Sequence, residues 1–147
     1  MLLFMVRECV SCGKKNRIPA GHLADQGRCG ACKASLPPLA EPIDADTATF
    51  DEIVNGARVP VLIDFWAAWC GPCRMAAPEV KRTAAEMAGR AVVLKVDTEQ
   101  WPDLARRFQV MSIPNFVVMK DGKIVHQQPG LVDHRQMMAW LEKSGSD

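Results

Sequence analysis

From about residue 47 onward, the apolar residues alternate between the spacing of strands and the spacing of helices. The runs 59–66 and 91–96 are almost continuously apolar and contain several β-branched residues, which is typical of strands buried on both faces. Helices are predicted where apolar residues recur every three or four positions, or where capping and stop signals stand. These helical segments are 47–54, 72 to about 87, 102–108 and the segment after Asp133.

Two further segments, 116–119 and 123–126, flank Asp121 and Gly122, a dipeptide that strongly favours a two-residue hairpin turn. Strands that alternate with helices and end in a hairpin predict an α/β protein with a central mixed sheet. Pro78 lies inside the helix that begins near residue 72, and we expect it to kink that helix.

The first 38 residues show almost no strand or helix periodicity. A segment of this length is too short to bury a self-sufficient hydrophobic core, so we expect a metal or an equivalent cross-link to stabilise it. Pro37, Pro38 and Pro42 favour an extended connector after this segment. We therefore predict a small domain over residues 1–38, a linker with the first strand of the sheet over 39–46, and the main domain over 47–147.

Charge and hydropathy argue against several classes of partner. The net charge of +1 gives the whole chain no attraction to nucleic acid or anionic lipid. Residues 1–38 carry a net charge of +4, but Phe4 is their only aromatic residue, so nucleic-acid binding by base stacking has little support. No apolar run reaches the roughly 18 residues of a membrane helix, and residues 1–6 are too short for a secretory signal. A cytoplasmic protein without a membrane partner is therefore expected.

All six cysteines occur in Cys-x-x-Cys pairs. The first two pairs are separated by 16 residues, a spacing typical of a zinc site with four cysteine ligands: Cys9, Cys12, Cys29 and Cys32. Four thiolates complete a tetrahedron and leave no open position, so one Zn²⁺ ion here would be structural. Two disulfides or an additional redox pair are the alternatives, and His22 could replace one of the ligands.

The third pair, in Cys70-Gly71-Pro72-Cys73, follows a buried strand and opens a helix. Unpaired N–H groups and the positive dipole end at a helix amino terminus favour a thiolate, which lowers the pKa of Cys70 below its ordinary value of about 8.5. Cys70 would attack a substrate disulfide, and Cys73 would then attack Cys70 and release the reduced product. A buried or metal-bound pair is the alternative interpretation.

Residues 64–74, together with Ser112-Ile113-Pro114, the hairpin residues 120–123 and Gly130, resemble the active-site segments of the thioredoxin family. The likeness runs from about residue 45 to residue 143. The four-cysteine segment and residues 16–19 resemble the zinc-containing thioredoxin-2 type, which extends the likeness over nearly the whole chain. This resemblance implies a thioredoxin fold with a small amino-terminal zinc-ribbon-like segment.

The resemblance also implies site roles. It implies a cis peptide bond between Ile113 and Pro114, facing the disulfide. It implies a substrate-docking surface formed by Trp69, Gly71, Pro72, Ile113, Pro114 and Gly130. Asn115 departs from the family pattern, which usually has threonine after the cis-proline, and the larger amide could alter substrate-loop packing or specificity.

Asp64 matches the buried acid of the family, and Lys95 matches the lysine near that acid. Since Asp64 lies within an otherwise apolar strand, burial should raise its pKa and suit it to exchange a proton with Cys73. The alternative is that both residues lie at strand ends and reach water.

The implied activity is reduction of disulfides in protein substrates, with an NADPH-dependent thioredoxin reductase as the electron donor. The chain has no glycine-rich dinucleotide fingerprint, so a partner must supply the electrons. Two other functions stay open at this point. One is a disulfide oxidase or isomerase, and the other is a zinc-ribbon module that binds nucleic acid or protein.

Overall fold

The computed structural model describes residues 4–145. The chain begins with two small antiparallel hairpins, which we call the ribbon (residues 4–36). The first pairs β1 (Phe4–Glu8) with β2 (Lys15–Pro19), and the second pairs β3 (Gly27–Arg28) with β4 (Ser35–Leu36). A short 3₁₀ turn, Ala20–His22, connects them.

The ribbon strands have no counterpart in the apolar pattern of the sequence. Each hairpin is closed by a cysteine turn, in which the Cys9 N–H donates to the Lys14 carbonyl and the Cys29 N–H donates to the Ala34 carbonyl. Local turn geometry thus sets the pairing of these strands, and the core they bury is too small to produce a periodic pattern.

The main part of the chain forms a five-stranded mixed sheet in the order β5-β7-β6-β8-β9. Strands β5, β7 and β6 run parallel, whereas β8 pairs antiparallel with β6 and with β9. The strands are β5 (Ile43–Asp44), β6 (Val61–Trp66), β7 (Val92–Asp97), β8 (Asn115–Lys120) and β9 (Lys123–Pro129). The mixed α/β architecture predicted from the sequence is confirmed.

Four helices cover the two faces of this sheet: α1 (Thr47–Gly56), α2 (Gly71–Glu86), α3 (Pro102–Arg107) and α4 (His134–Ser144). Helices α1 and α3 share one hydrophobic cluster with Ile63 of β6, and α2 and α4 share the other with Leu62. Because successive strand residues point to opposite faces, β6 is buried on both sides, as its apolar run predicts. None of the helices within residues 4–145 is both long and apolar enough to cross a membrane.

The predicted turn and caps are present. Asp121 and Gly122 have φ angles of 54° and 76° and connect β8 to β9 as a tight hairpin. The Asp133 side chain accepts from the Gln136 N–H and the Gln136 side chain accepts from the Asp133 N–H, which completes a capping box at the start of α4. Pro78 lies inside α2.

The ribbon shares a hydrophobic core with the sheet. Ala20 and Leu23 belong to the same buried cluster as Phe50 and Ile53 of α1. The backbones also approach closely, since a Cβ atom added at Gly21 would stand 3.0 Å from the Gly56 carbonyl oxygen. Packing of the ribbon and packing of α1 are therefore energetically coupled.

This coupling predicts that Leu23→Ala destabilises the main sheet as well as the ribbon. Leu23 is 1% exposed, and removing a fully buried leucine side chain costs about 2–5 kcal/mol. All four tryptophans lie beyond residue 65, so urea unfolding followed by tryptophan fluorescence reports on the main sheet. We expect its midpoint to fall. Leu131→Ala, at a leucine that is 46% exposed, is the control, and an unchanged midpoint for Leu23→Ala would contradict the shared core.

Candidate active site and metal centre

The Cys70–Cys73 pair lies where β6 leads into α2. Cys70 precedes the first residue of the helix, and its Sγ accepts a hydrogen bond from the Cys73 N–H at 3.1 Å. A sulfur at this place also faces the positive end of the helix dipole. The two residues form a disulfide with Cα atoms 5.2 Å apart, and both side chains are buried. This arrangement favours the Cys70 thiolate once the disulfide is reduced.

The loop before β8 lies against this disulfide. The peptide bond between Ile113 and Pro114 is cis, which confirms that prediction, and the Ile113 carbonyl oxygen lies 3.7 Å from Cys70 Sγ. The Gly130 N–H donates to the Pro114 carbonyl at 2.8 Å, and Gly130 has a φ angle of 93°, which glycine adopts without steric cost. The fold thus brings together residues that lie up to 60 positions apart in the sequence.

A groove with a volume of about 400 Å³ adjoins Trp69, the residue before Cys70, and is lined by Trp69, Thr98, Ala105, Val110, Met111, Ser112 and Ile113. Trp69 and Met111 are 67% and 93% exposed, although both are large and apolar. The Trp69 indole N–H donates to a Glu99 carboxylate oxygen at 2.7 Å, which fixes the ring. A Cβ added at Gly71 would meet only open space among the described residues. An extended peptide can therefore approach Cys70 along an apolar surface.

Asp64 is buried in β6, with 1% of its surface exposed. Burial raises the pKa of its carboxyl group to about 7, and the nearby positive charge of Lys95 opposes part of this rise. Its Oδ1 atom has no hydrogen-bond partner among residues 4–145. Asp64 is two residues from Leu62 along the strand, so it points to the face that α2 covers.

Lys95 lies directly opposite Asp64 in the neighbouring strand β7. Its Nζ stands 4.5 Å from the centre of the Trp66 ring, in a cation–π contact. The expectation of a lysine beside the buried acid thus agrees with the position of Lys95.

The four cysteines of the ribbon form a compact cluster, in which all four Sγ atoms lie within 4.8 Å of one another. The distance from Cys9 Sγ to Cys32 Sγ is 3.7 Å, and that from Cys12 Sγ to Cys29 Sγ is 3.6 Å. A tetrahedron with metal–sulfur bonds of about 2.3 Å has edges of about 3.8 Å. The cluster therefore has the dimensions of a metal site with four cysteine ligands.

The ionisation of the four cysteine thiols also favours a bound cation. Backbone N–H groups of Cys32 and Ala31 lower the pKa of Cys29 to about 6, against the opposing effect of burial. The Lys14 N–H favours ionisation of Cys12, but hydrogen bonds with Cys32 and Cys29 outweigh it and raise the pKa of Cys12 to about 12. Four thiolates so close together repel one another, so ionisation of all four requires a cation between them.

Asn16 connects the two cysteine turns, a role that the sequence analysis missed. Its Nδ2 donates to the Lys14 carbonyl at 3.1 Å and to Cys29 Sγ at 3.6 Å, and its Oδ1 accepts from the Gly30 N–H at 3.0 Å. His22 lies outside the cysteine cluster and pairs with Asp25 at 2.6 Å.

Comparison with known proteins identifies the family. The family model described as Thioredoxin matches residues 41–143, and the model described as Thioredoxin 2, N-terminal matches residues 8–34. The first match covers more than half of the chain. The chain belongs to the thioredoxin family.

Individual relatives agree with this assignment. The chain is 40% identical over 139 residues to Thioredoxin C-3 of Corynebacterium nephridii, with 95% of this chain and 94% of that protein covered. It is 45% identical over 89 residues to Thioredoxin 1 of Chlorobaculum tepidum, with coverages of 60% and 88%. The solved structure of a point-mutant thioredoxin from Halobacterium salinarum superimposes with a TM-score of 0.66 at 32% identity and covers 74% of this chain and 94% of that one.

This thioredoxin is a protein-disulfide reductase that acts by dithiol exchange through Cys70 and Cys73. Its substrates are proteins that contain disulfides, and its electron partner is a thioredoxin reductase. The predicted thioredoxin fold with an amino-terminal ribbon of the thioredoxin-2 type is confirmed.

Sequence reasoning missed two exposed methionines of this thioredoxin near the disulfide. Met75 follows the Cys-Gly-Pro-Cys-Arg segment and is 65% exposed, and Met111 precedes Ser112 and is 93% exposed. The sequence does place both methionines next to the motifs around Cys70 and Pro114. However, a large apolar residue in a predicted helix or beside a strand is usually assigned to the core.

The raised pKa of Asp64 predicts a pH-dependent stability that Asp64→Asn removes. Below about pH 4 the carboxyl group is protonated in both the folded and the unfolded protein. Between about pH 4 and pH 7 only the folded state keeps the proton. The stability that this proton contributes is therefore complete below about pH 4, declines as the pH rises, and is lost once the pH passes the folded pKa of about 7. As the pH rises from about 4 to about 7, we therefore expect the free energy of unfolding of the native protein to fall by about 4 kcal/mol relative to that of Asp64→Asn.

Urea unfolding of the oxidised proteins at several pH values between 4 and 8 measures this difference. Asp121→Asn is the matched control, because Asp121 is exposed in the hairpin turn and asparagine accepts its positive φ angle. If the Asp64→Asn curve runs parallel to the native curve over the whole range, the raised pKa is wrong.

Proposed function

We propose that Cys70 is the nucleophile and Cys73 the resolving thiol in the reduction of substrate disulfides. The observation that supports these roles best is the hydrogen bond from the Cys73 N–H to Cys70 Sγ at the start of α2, because it stabilises negative charge on Cys70. In the oxidised protein Cys70 is only 3% exposed, but it lies next to the open backbone of Gly71 and to the Ile113 carbonyl.

The proposed exchange moves two electrons from the protein to the substrate. The Cys70 thiolate attacks one sulfur of the substrate disulfide, that disulfide breaks, and its other sulfur leaves as a thiolate that takes a proton. Cys73 then loses its proton and attacks Cys70 Sγ in the mixed disulfide. The second substrate sulfur is released, and the Cys70–Cys73 disulfide forms.

In this proposal Asp64 accepts the proton of Cys73 and returns it when the disulfide is reduced again. Three features support it: Asp64 faces the side of the sheet covered by α2, its pKa of about 7 lies near neutral pH, and its Oδ1 has no partner among the described residues. Lys95 acts as a positioning residue, because its charge opposes the rise of the Asp64 pKa and keeps part of the acid ionised.

Substrates dock in this proposal as an extended segment across the groove beside Cys70. The main-chain groups of Ile113 pair with the substrate backbone, and the apolar surface around them contacts its side chains. The docking residues are Trp69, Gly71, Pro72, Ile113, Pro114 and Gly130. Trp69 and Ile113 line the groove of about 400 Å³, and Trp69 is 67% exposed, which supports their part in docking. Gly71, Pro72, Pro114 and Gly130 lie outside the groove lining, and their docking role rests on the family resemblance.

The electron donor in this proposal is an NADPH-dependent thioredoxin reductase, and the compartment is the cytoplasm, where thiols are kept reduced. The absence of a dinucleotide fingerprint from the sequence is consistent with a separate NADPH-binding partner.

We also propose that the ion in the ribbon is Zn²⁺, held by Cys9, Cys12, Cys29 and Cys32. The distances of 3.6 and 3.7 Å between sulfurs of the two different cysteine turns support a closed tetrahedral site. When bound, Zn²⁺ supplies a structural cross-link between the two cysteine turns and no redox chemistry. The division into a zinc-ribbon-like domain (1–38), a linker with the first strand (39–46) and a thioredoxin domain (47–147) belongs to the same proposal.

Serine substitutions test the cysteine roles. We expect Cys70→Ser to lose insulin reduction entirely, because the nucleophile is gone. Cys73→Ser should accumulate a mixed disulfide between Cys70 and the substrate, visible by non-reducing electrophoresis and mass spectrometry. Trapping of substrate on Cys73 in Cys70→Ser, with none on Cys70 in Cys73→Ser, would reverse the two roles.

Metal analysis tests the ribbon. Protein made without added zinc should contain close to one Zn²⁺ per chain. Asn16→Leu should weaken Zn²⁺ binding about 10- to 100-fold in a competition titration with a chromophoric chelator, because it removes the hydrogen bond to Cys29 Sγ and the link between the two turns. Lys15→Ala, at the adjacent exposed position, is the control. A metal-free native protein would refute the zinc assignment, and native affinity in Asn16→Leu would refute the role of Asn16.

A further inference from the structure

We propose that Gln127 and Asn115 form a clasp that sets the position of the substrate-docking loop, residues 109–114. The proposal rests on the docking role proposed above for this loop and adds the residues that hold it. Gln127 lies in β9 and Asn115 begins β8, so neither needs to touch the substrate. Both act as positioning residues.

The clasp consists of two hydrogen bonds from one amide group. Gln127 Nε2 donates to the Phe108 carbonyl at 3.0 Å and to Asn115 Oδ1 at 3.2 Å. A carboxamide nitrogen carries two hydrogens, so each acceptor receives its own. Phe108 and Asn115 are the residues that immediately precede and follow the loop, so one side chain ties its two ends together.

The Phe108 end of the loop is fixed in the core. The Phe108 ring packs edge-on against Phe50 and tilted against Phe65, with ring centres 5.5 Å apart in both pairs. The Phe108 carbonyl is therefore a fixed acceptor. The Gln127 amide that it binds is held in place and in turn holds the Asn115 side chain at the other end of the loop.

At the Asn115 end, strand pairing holds the backbone and the clasp holds the side chain. Asn115 is 5% exposed, and a buried amide oxygen without a partner is costly, so loss of the Gln127 bond would make Asn115 rotate or admit water. Asn115 directly follows the cis Pro114, and its Cα pairs with Phe65 and with Pro129. Reorientation of the Asn115 side chain is therefore expected to disturb Pro114 and Ile113, which directly precede it, and the Ile113 carbonyl faces Cys70.

The loop between the two ends is only partly held by its own packing. Gln109 has a φ angle of 54°, which a residue with a side chain adopts at a steric cost, and Met111 is 93% exposed. Val110, Met111 and Ile113 nevertheless form one wall of the docking groove. Val110 and Ile113 pack against the hydrophobic cluster of α1 and α3, and the Val110 N–H donates to the Ala105 carbonyl at 2.9 Å. The clasp adds to these contacts by joining the residues at the two ends of the loop.

The expected effect is on docking and not on thiol chemistry. We expect Gln127→Met, which keeps the side-chain length and removes both N–H donors, to raise the half-saturating concentration of a protein disulfide about five- to tenfold. The maximal rate should stay within about twofold of the native value. The rate with a small aromatic disulfide, which does not fill the groove, should be unchanged.

The experiment uses stopped-flow oxidation of the reduced, metal-loaded full chain by insulin, followed by tryptophan fluorescence, with 5,5′-dithiobis(2-nitrobenzoate) as the small disulfide. Gln128→Met is the matched control, since Gln128 is the next residue of β9 and its amide donates to the Pro129 carbonyl at 3.4 Å. An Asn115→Leu variant and the double variant with Gln127→Met complete a cycle. If the clasp acts through Asn115, the double variant is no worse than either single variant.

An unchanged half-saturating concentration in Gln127→Met would overturn the proposal, and so would an equal loss of rate with both disulfides. If Gln127→Met does not fold, as judged by circular dichroism, Asn115→Leu alone carries the same comparison. If insulin oxidises the native protein and Gln127→Met with the same half-saturating concentration, the clasp is refuted and the proposed function is unaffected. Native protein that does not reduce insulin would refute the function itself.

Discussion

The chemistry of this protein depends on one backbone N–H. Where β6 ends and α2 begins, the Cys73 N–H points at Cys70 Sγ, because the first turn of a helix has N–H groups without partners inside the helix. The position of that N–H is fixed by β6, which is buried on both faces, and by the packing of α2 on the sheet. The sheet therefore holds a charge-stabilising group at the sulfur that we propose as the nucleophile.

The two faces of the sheet carry different tasks. Helix α2, with Cys73, packs on the same face as Asp64, whereas α1 packs on the other face together with the ribbon. The Leu23 side chain joins the core of that second face, so the ribbon can stabilise the domain from the side opposite α2. The closed geometry of four cysteine sulfurs agrees with a structural role, because it leaves no position open for a substrate.

Much of the fold could be predicted from the sequence because its signals are local. The buried strands, the helix caps and the turn at Asp121 and Gly122 each depend on residues within a few positions of one another. The active site could be predicted in the same way, because the motifs around Cys70 and Pro114 are also local. The ribbon strands were not predictable, since their pairing depends on the cysteine turns and on Asn16. The link from Gln127 to Phe108 joins residues 19 positions apart through a side chain, and no periodicity reports such a contact.

The most direct test of the account is the ionisation of Cys70 in the reduced, metal-loaded protein. The rate of alkylation by iodoacetamide, measured against pH with peptide mapping to separate Cys70 from the other cysteines, gives its pKa. We expect a midpoint clearly below the value of about 8.5 for an ordinary cysteine, with Cys70 modified before Cys73. A midpoint at or above that value would contradict it.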